Sequence, residues 1–129
     1  TAMNAGPSGW HLPSDGEWKI LEGNVDTQYG VGDPEWDNTG HRGYDAGKRL
    51  KSTTGWHTGT DAFGFTALPG GRRNTNGVFN YLGENGKWWS SAECGSTVAW
   101  RRTLYYGSDF MHRGDDTKGH GFSVRCLKD

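Results

Sequence analysis

Aliphatic side chains are scarce in this chain. Leu, Ile and Val together number 13 among 129 residues, against 17 rings from 7 Trp, 5 Tyr and 5 Phe. A core of stacked aliphatic layers is excluded. Large rings must fill the interior, and their N–H and O–H groups need partners there. No apolar run approaches the roughly 20 residues of a membrane-spanning helix, so direct membrane insertion is not expected. No secretory leader is recognisable, and "TAMNAGPSG" reads as an internal domain start, with residues 1–5 as linker or expression remnant. Neither charge sign dominates: 14 Lys and Arg face 15 Asp and Glu, for a net charge of −1. That balance argues against nucleic acid as a partner, which calls for clustered basic residues. The pairs Arg72–Arg73 and Arg101–Arg102 read as solvated turns and strand edges. Low aliphatic content signals disorder only when net charge is high, so a folded, loop-rich domain is expected, one domain over 1–129. Two cysteines, Cys94 and Cys126, leave one disulfide and two free thiols equally open.

What is abundant is glycine, 22 residues, which implies many turns. The clearest local pattern is "GWHLPSDGEWKILEG". Ser14 and Glu17 form a capping box after Pro13, and Trp18, Ile20 and Leu21 follow at helical spacing. Gly23 marks the expected stop. "GWHLP" reads as a strand with Trp10 and Leu12 on one face. Residues 24–47 are turn-rich, giving a long loop or an interrupted second helix, and "AGKRLKS" adds a short helical turn. "FGFTALPGG" alternates Phe63, Phe65 and Ala67 as a strand. "NGVFNYLG" is another strand, and "NGK" at Asn85–Lys87 is expected to be a hairpin turn. In "WWSS", adjacent Trp88 and Trp89 face opposite sides of a strand. "TVAWRRTLYY" places Val98, Trp100, Arg102 and Leu104 on one face. "GFSVRCL" places Phe122, Val124 and Cys126 on one face and Ser123 and Arg125 on the other. Strand and helix, then loops, then antiparallel strands make an α+β domain with a twisted antiparallel sheet, one or two helices and long loops. Trp10, Trp18, Trp88 and Trp100 are expected to pack, and Trp36 and Trp56, in loops, to be exposed.

The segments "GWHLPSDGEW", "LKSTTGW", "FGFTALPGG", "WWSS" and "GFSVRC", in this order, resemble the signatures of the Fibrobacter succinogenes major paralogous domain. The resemblance runs from about Gly6 to the C-terminus. It implies a C-type lectin-like fold, an exported or cell-surface setting, often within a lipoprotein of Bacteroidetes or Fibrobacteres, and no established enzyme activity. Where family members commonly carry Cys-Pro, this chain has Gly6–Pro7, so the expected partner of the cysteine in "GFSVRC" is missing. A second resemblance is to lectin-like proteins whose C-terminal part is rewritten by a diversity-generating retroelement. It implies a fixed frame of Trp88–Ser91, Ala99, Trp100, Leu104 and Gly121–Arg125. Cys94, Val98 and Gly114 would then be variable, together with most of the contact positions named next.

Those contacts centre on Tyr105–His120, "YYGSDFMHRGDDTKGH", which shows neither helical nor strand periodicity and reads as a ligand-contacting loop surface. Arg101 and Thr103 precede it. Within it, Tyr105, Tyr106, Ser108, Asp109, Phe110, Met111 and His112 are candidate contacts, followed by Asp115, Asp116, Thr117 and His120. Rings supply rigid area and small polar groups supply adaptable hydrogen bonds. No catalytic residue, metal or cofactor is assigned. Calcium-lectin loop motifs do not occur, so Asp33, Glu35, Asp37, Asp115 and Asp116 read first as acidic turns. The five histidines lack zinc spacing, and no nucleophile elbow occurs. The expected partner is a protein or glycan on another cell or phage, with protein favoured because the calcium-sugar motif is missing. The alternatives are a structural module of a surface protein and, more remotely, a carbohydrate-binding lectin or an enzyme like the formylglycine-generating ones, whose cysteine pair works on copper.

Overall fold

The computed structural model describes residues 5–129, so residues 1–4 of the expected N-terminal linker lie outside the described residues. Two helices and several antiparallel strands make up an α+β domain. In chain order the elements are β1 (Trp10–His11), α1 (Asp15–Val25), β2 (Gly40–Arg42), α2 (Ala46–Leu50), β3 (Arg72–Arg73), β4 (Phe79–Asn80), β5 (Asn85–Glu93), β6 (Val98–Tyr105), β7 (Met111–Thr117) and β8 (Leu127–Lys128). A single 3-10 turn, Pro34–Asp37, lies between α1 and β2. The central sheet has the order β2-β7-β6-β5, while β1 pairs with β8 and β3 with β4.

The capping box forms as expected. Ser14 Oγ accepts from Glu17 N at 3.1 Å, and the Glu17 carboxylate accepts from Ser14 N at 2.8 Å. The helix does not stop at Gly23. It runs on to Val25, and Gly23 is needed for closeness instead, since a Cβ there would meet the Val31 backbone at 2.6 Å. Ile20 faces solvent while Trp18 is buried.

Several strand expectations are corrected. "FGFTALPGG" is not a strand: it makes only isolated bridges, Ala67 to Lys51 and Gly71 to Gly86, and Phe63 is exposed. Asn85–Lys87 is not a turn but the buried start of β5. "GFSVRC" makes only isolated bridges, Gly121 to Arg73 and Ser123 to Trp88, so its alternation does not bury Val124 or Cys126. The loop tryptophans are also corrected. Trp36 is 1 % and Trp56 7 % exposed, whereas Trp10 is 44 % exposed. Both loop indoles find a carbonyl inside: Trp36 Nε1 donates to Gly30 O and Trp56 Nε1 to Ala67 O. Burying a ring of this size far outweighs the ordering of one loop residue.

Trp88 joins the main core with Trp18, Trp36, Leu50, Trp56, Leu104 and Met111. Trp89, its neighbour, faces a second cluster with Leu12, Ala99 and Phe122. The helix-facing side of the sheet is partly ionic. Glu22, fully buried in α1, accepts from Arg102 Nε and Arg42 Nη2, each at 2.5 Å. Asp15 accepts from Arg102 at 2.7 Å and Arg113 at 2.8 Å. Burial raises the Asp15 carboxyl, but the hydrogen bond from Arg113 and the charge of Arg102 hold it well below the usual carboxylate range. Three strands are thus riveted to one helix by charge-assisted hydrogen bonds.

Candidate ligand-binding face

The central finding is that Tyr105–His120 is not a loop. Tyr105 ends β6, residues 106–110 form the connection, and Met111–Thr117 are β7, an interior strand of the sheet. Register then decides which side chains come together. Arg101 lies opposite Gly114 and Thr103 opposite His112, so these positions share the face turned away from α1. His41 of β2 lies opposite His112, and Lys87 and Trp89 of β5 lie opposite Thr103 and Arg101. Met111 and Arg113 alternate to the helix side. Met111 is fully buried in the core and is therefore corrected from a ligand contact to a packing residue.

The outer face grades from one end to the other. Near Trp89 it is covered by Phe122, stacked on Trp89 at 4.2 Å between centroids, and His120 stacks on Phe122 in turn at 5.7 Å. In the middle lies a polar layer. The Arg101 guanidinium donates to Thr103 Oγ1 at 2.9 Å, to His112 at 2.8 Å and to Asp116 at 3.3 Å. Lys87 donates to the same Asp116 oxygen, also at 3.3 Å. Arg101 lies flat here because Gly114 leaves room; a Cβ at 114 would touch the guanidinium at 3.1 Å. Thr103 is fully covered beneath it, so it supports the face rather than touching a ligand. At the far end His41, Tyr105, Phe110 and His112 form a ring cluster, with His41 5.1 Å from His112, 5.4 Å from Tyr105 and 6.0 Å from Phe110.

Electrostatics follow from this layering. Burial, then the charge of Arg101, then that of His41, push the His112 imidazole down to about 4. Asp116 is raised by burial but lowered overall by Lys87 and Arg101. The layer therefore carries two cations, one carboxylate and a neutral imidazole.

The connection 106–110 is held from beneath by Lys51. Its Nζ donates to Tyr105 O and Ser108 O, each at 2.5 Å, and sits 4.7 Å from the centre of the Trp56 ring. Burial pushes this amine down to about 8, which leaves it charged at neutral pH. Gly47 of α2 packs so closely that a Cβ would collide with the Phe110 carbonyl oxygen. Tyr106 is exposed, and Tyr81, Tyr105 and Tyr106 line a hollow of about 540 Å³.

The remaining expected contacts divide. Ser108, Asp109 and Phe110 lie on the connection, and Phe110 is exposed. Asp115 is exposed, but its register opposite Trp100 puts it off the outer face. Its charge and a hydrogen bond add to burial in raising the Cys94 thiol, the opposite of nucleophile activation. Thr117 is exposed at the end of β7, and His120 Nδ1 sits 3.7 Å from Asp116. Cys94 and Cys126 are both free. Among the described residues no group of three or more His, Cys, Asp or Glu side chains is placed to hold a metal ion. Asp33 caps Glu35 N, and Asp37 pairs with Lys19. His41, Lys51 and Lys87 were not singled out from the sequence. Lys87 was hidden by the turn reading of "NGK", and His41 becomes visible only once β2 is placed beside β7.

The Fibrobacter succinogenes major domain model matches residues 1–128. No curated protein and no solved structure gives a significant match.

Proposed function

The chain belongs to the Fibrobacter succinogenes major domain family, and from that premise we propose that it is a non-catalytic ligand-binding domain of an exported surface protein. The observation that carries this reading is the shared outer face, on which Arg101, Tyr105, His112 and Asp116 converge with His41 and Lys87. Opposite it, ion pairs and rings fix the strands, so the face is displayed on rigid elements. Arg101 and Lys87 are themselves buried and hold this layer in place, so Arg101 supports the face rather than touching a ligand. The groups open at the edge of the face include the rings of Tyr106 and Phe110, and rigid exposed rings suit protein or glycan recognition. The lectin-like variety of the fold, the cell or phage surface as the place of action, and retroelement rewriting of the face are parts of this proposal. Strand alternation suits rewriting, because substitutions at 105, 112 and 116 fall on the face turned away from α1.

The double substitution Tyr105→Ala with His112→Ala is expected to abolish target binding. It should move Tm by less than about 5 °C, the shift that follows from losing about 1 kcal/mol in a domain of this size. Unchanged binding, or a collapse of stability, would count against the face. For rewriting, the neighbouring genome should hold a reverse transcriptase beside a near-copy of the codons for Trp88–Cys126.

A second reading, a structural module of a surface assembly, is favoured by a different surface. The β3–β4 hairpin and its flank expose Phe79 at 78 % and Leu82 at 82 %. An apolar tip of this kind suits packing against a neighbouring domain.

A further inference from the structure

Beside the reading face, between α2 and the 107–110 connection, lies a cleft of about 660 Å³. Small-ligand sites occupy roughly 300–1,000 Å³. Two rings on its lining are open to solvent, Tyr44 and Phe110. Lys48 and Arg49 line it as well, together with Thr60, Ser108 and two carboxylates, Asp45 and Asp109.

The carboxylates are committed elsewhere. Asp45 accepts from Thr27 N at 2.9 Å and from Thr27 Oγ1 at 2.8 Å. Asp109 accepts from Thr58 Oγ1 at 3.2 Å, and its charge acts on Lys51. The cations are not paired with acids, although the Arg49 guanidinium lies over the Phe63 ring at 5.3 Å from its centre. Nearby Arg42 and Arg113 pair with carboxylates and Lys51 with carbonyls. Lys48 and Arg49 form no ion pair and no side-chain hydrogen bond among the described residues, and Arg49 Nε is buried without a partner.

Backbone recognition is closed off here. Lys48 N donates to Asp109 O, Thr60 N to Lys48 O and Ala62 N to Arg49 O. An extended peptide binds by adding to a free backbone ladder, and these walls offer none. What stands free is side-chain chemistry: two cations for an anionic group and two rings for apolar ring faces.

We infer that this cleft binds an acidic sugar, a uronate or sulfated residue of a glycan, with Lys48 and Arg49 on the anion and Tyr44 and Phe110 against the ring. The inference rests on the reading of the chain as a ligand-binding domain and names a ligand class for the flank of its face. It requires no calcium, because the chain's own cations take the role of charge partner.

The test is calorimetric titration with four probes: oligogalacturonate, heparin fragments, the galacturonate oligosaccharide reduced to neutral galactose, and a tri-glutamate peptide. The acidic oligosaccharide is expected to bind, more weakly as salt rises, and the neutral one to bind at least about tenfold more weakly. Lys48→Ala with Arg49→Ala should abolish the signal, while Lys48→Arg keeps it. Melting curves of each variant verify folding. Equal binding of the neutral sugar, tighter binding of the peptide, indifference to the double substitution, or no binding of oligogalacturonate or of heparin fragments each overturns the inference. Target capture that depends on Tyr105 and His112, in a protein that binds no acidic sugar, would sink the cleft and leave the face. Acidic-sugar binding with target capture indifferent to Tyr105 and His112 would do the reverse.

Discussion

Arg101 Nη1 lies 2.8 Å from His112 Nδ1. A guanidinium can only donate, so Nδ1 is the acceptor and the proton of the neutral ring sits on Nε2. The bond fixes both the tautomer and the tilt of the imidazole in the ring cluster, and it is incompatible with a charged ring. Burial and the Arg101 charge push the folded value down to about 4, from 6.5.

A pH dependence follows from that depression. The unfolded chain binds the His112 proton near 6.5 and the folded chain only near 4, so the stabilisation is fully present above 6.5. It is lost as pH falls through about 4. Melting temperatures of the wild type and His112→Gln, compared across this range, should converge or cross on acidification. Parallel curves would show that His112 does not titrate in this way.

Lys51 should be structural for the connection above it. Lys51→Met removes the charged donor to Tyr105 O and Ser108 O; Tyr105 O keeps the Ser108 N–H, and Ser108 O is left short of this partner, at about 1–3 kcal/mol. Urea denaturation is expected to show a loss of roughly 2–4 kcal/mol, with faster amide exchange concentrated at 105–110. Lys51→Arg should not rescue, because a planar fork does not reproduce a point donor between converging carbonyls.

Glu22 sits between Arg42 and Arg102 with no exposure. Glu22→Ala leaves two buried guanidinium groups short of a partner and is expected to cost about 3–5 kcal/mol by chemical denaturation. Glu22→Gln keeps the shape but only one of the two acceptor oxygens, its NH2 facing the other guanidinium, and should fall between wild type and Glu22→Ala. A neutral Glu22→Ala would show that the network does not hold the helix to the sheet.

The same network explains why β7 was illegible in the sequence. A strand is recognised by apolar residues at every second position. Here the buried positions of β7 read Met111, then Arg113, and the outward ones His112, Gly114 and Asp116. Both faces are largely polar by composition, and Arg113 becomes interior through partners far along the chain, Asp15 on a helix nearly a hundred residues away and the Asp37 carbonyl. Helix α1 was legible because its signal is local, a capping box complete within four residues. Trp36 and Trp56 were misplaced because burial of a loop ring depends on distant partners that no short window contains. Only part of the expected contact set shares one face. Arg101, Tyr105, His112 and Asp116 do gather, through strand register rather than through a loop, and the same register removes Met111.

Lys51 has one more consequence. Where a diffusible ion organises a binding loop, occupancy falls with dilution, chelation or competition from other ions. Here the organising charge is bonded to the chain through its own side chain, 2.5 Å from the carbonyls of Tyr105 and Ser108. Its local concentration is set by covalent geometry alone. The 105–110 surface thus has an organising charge that dilution or chelation does not remove.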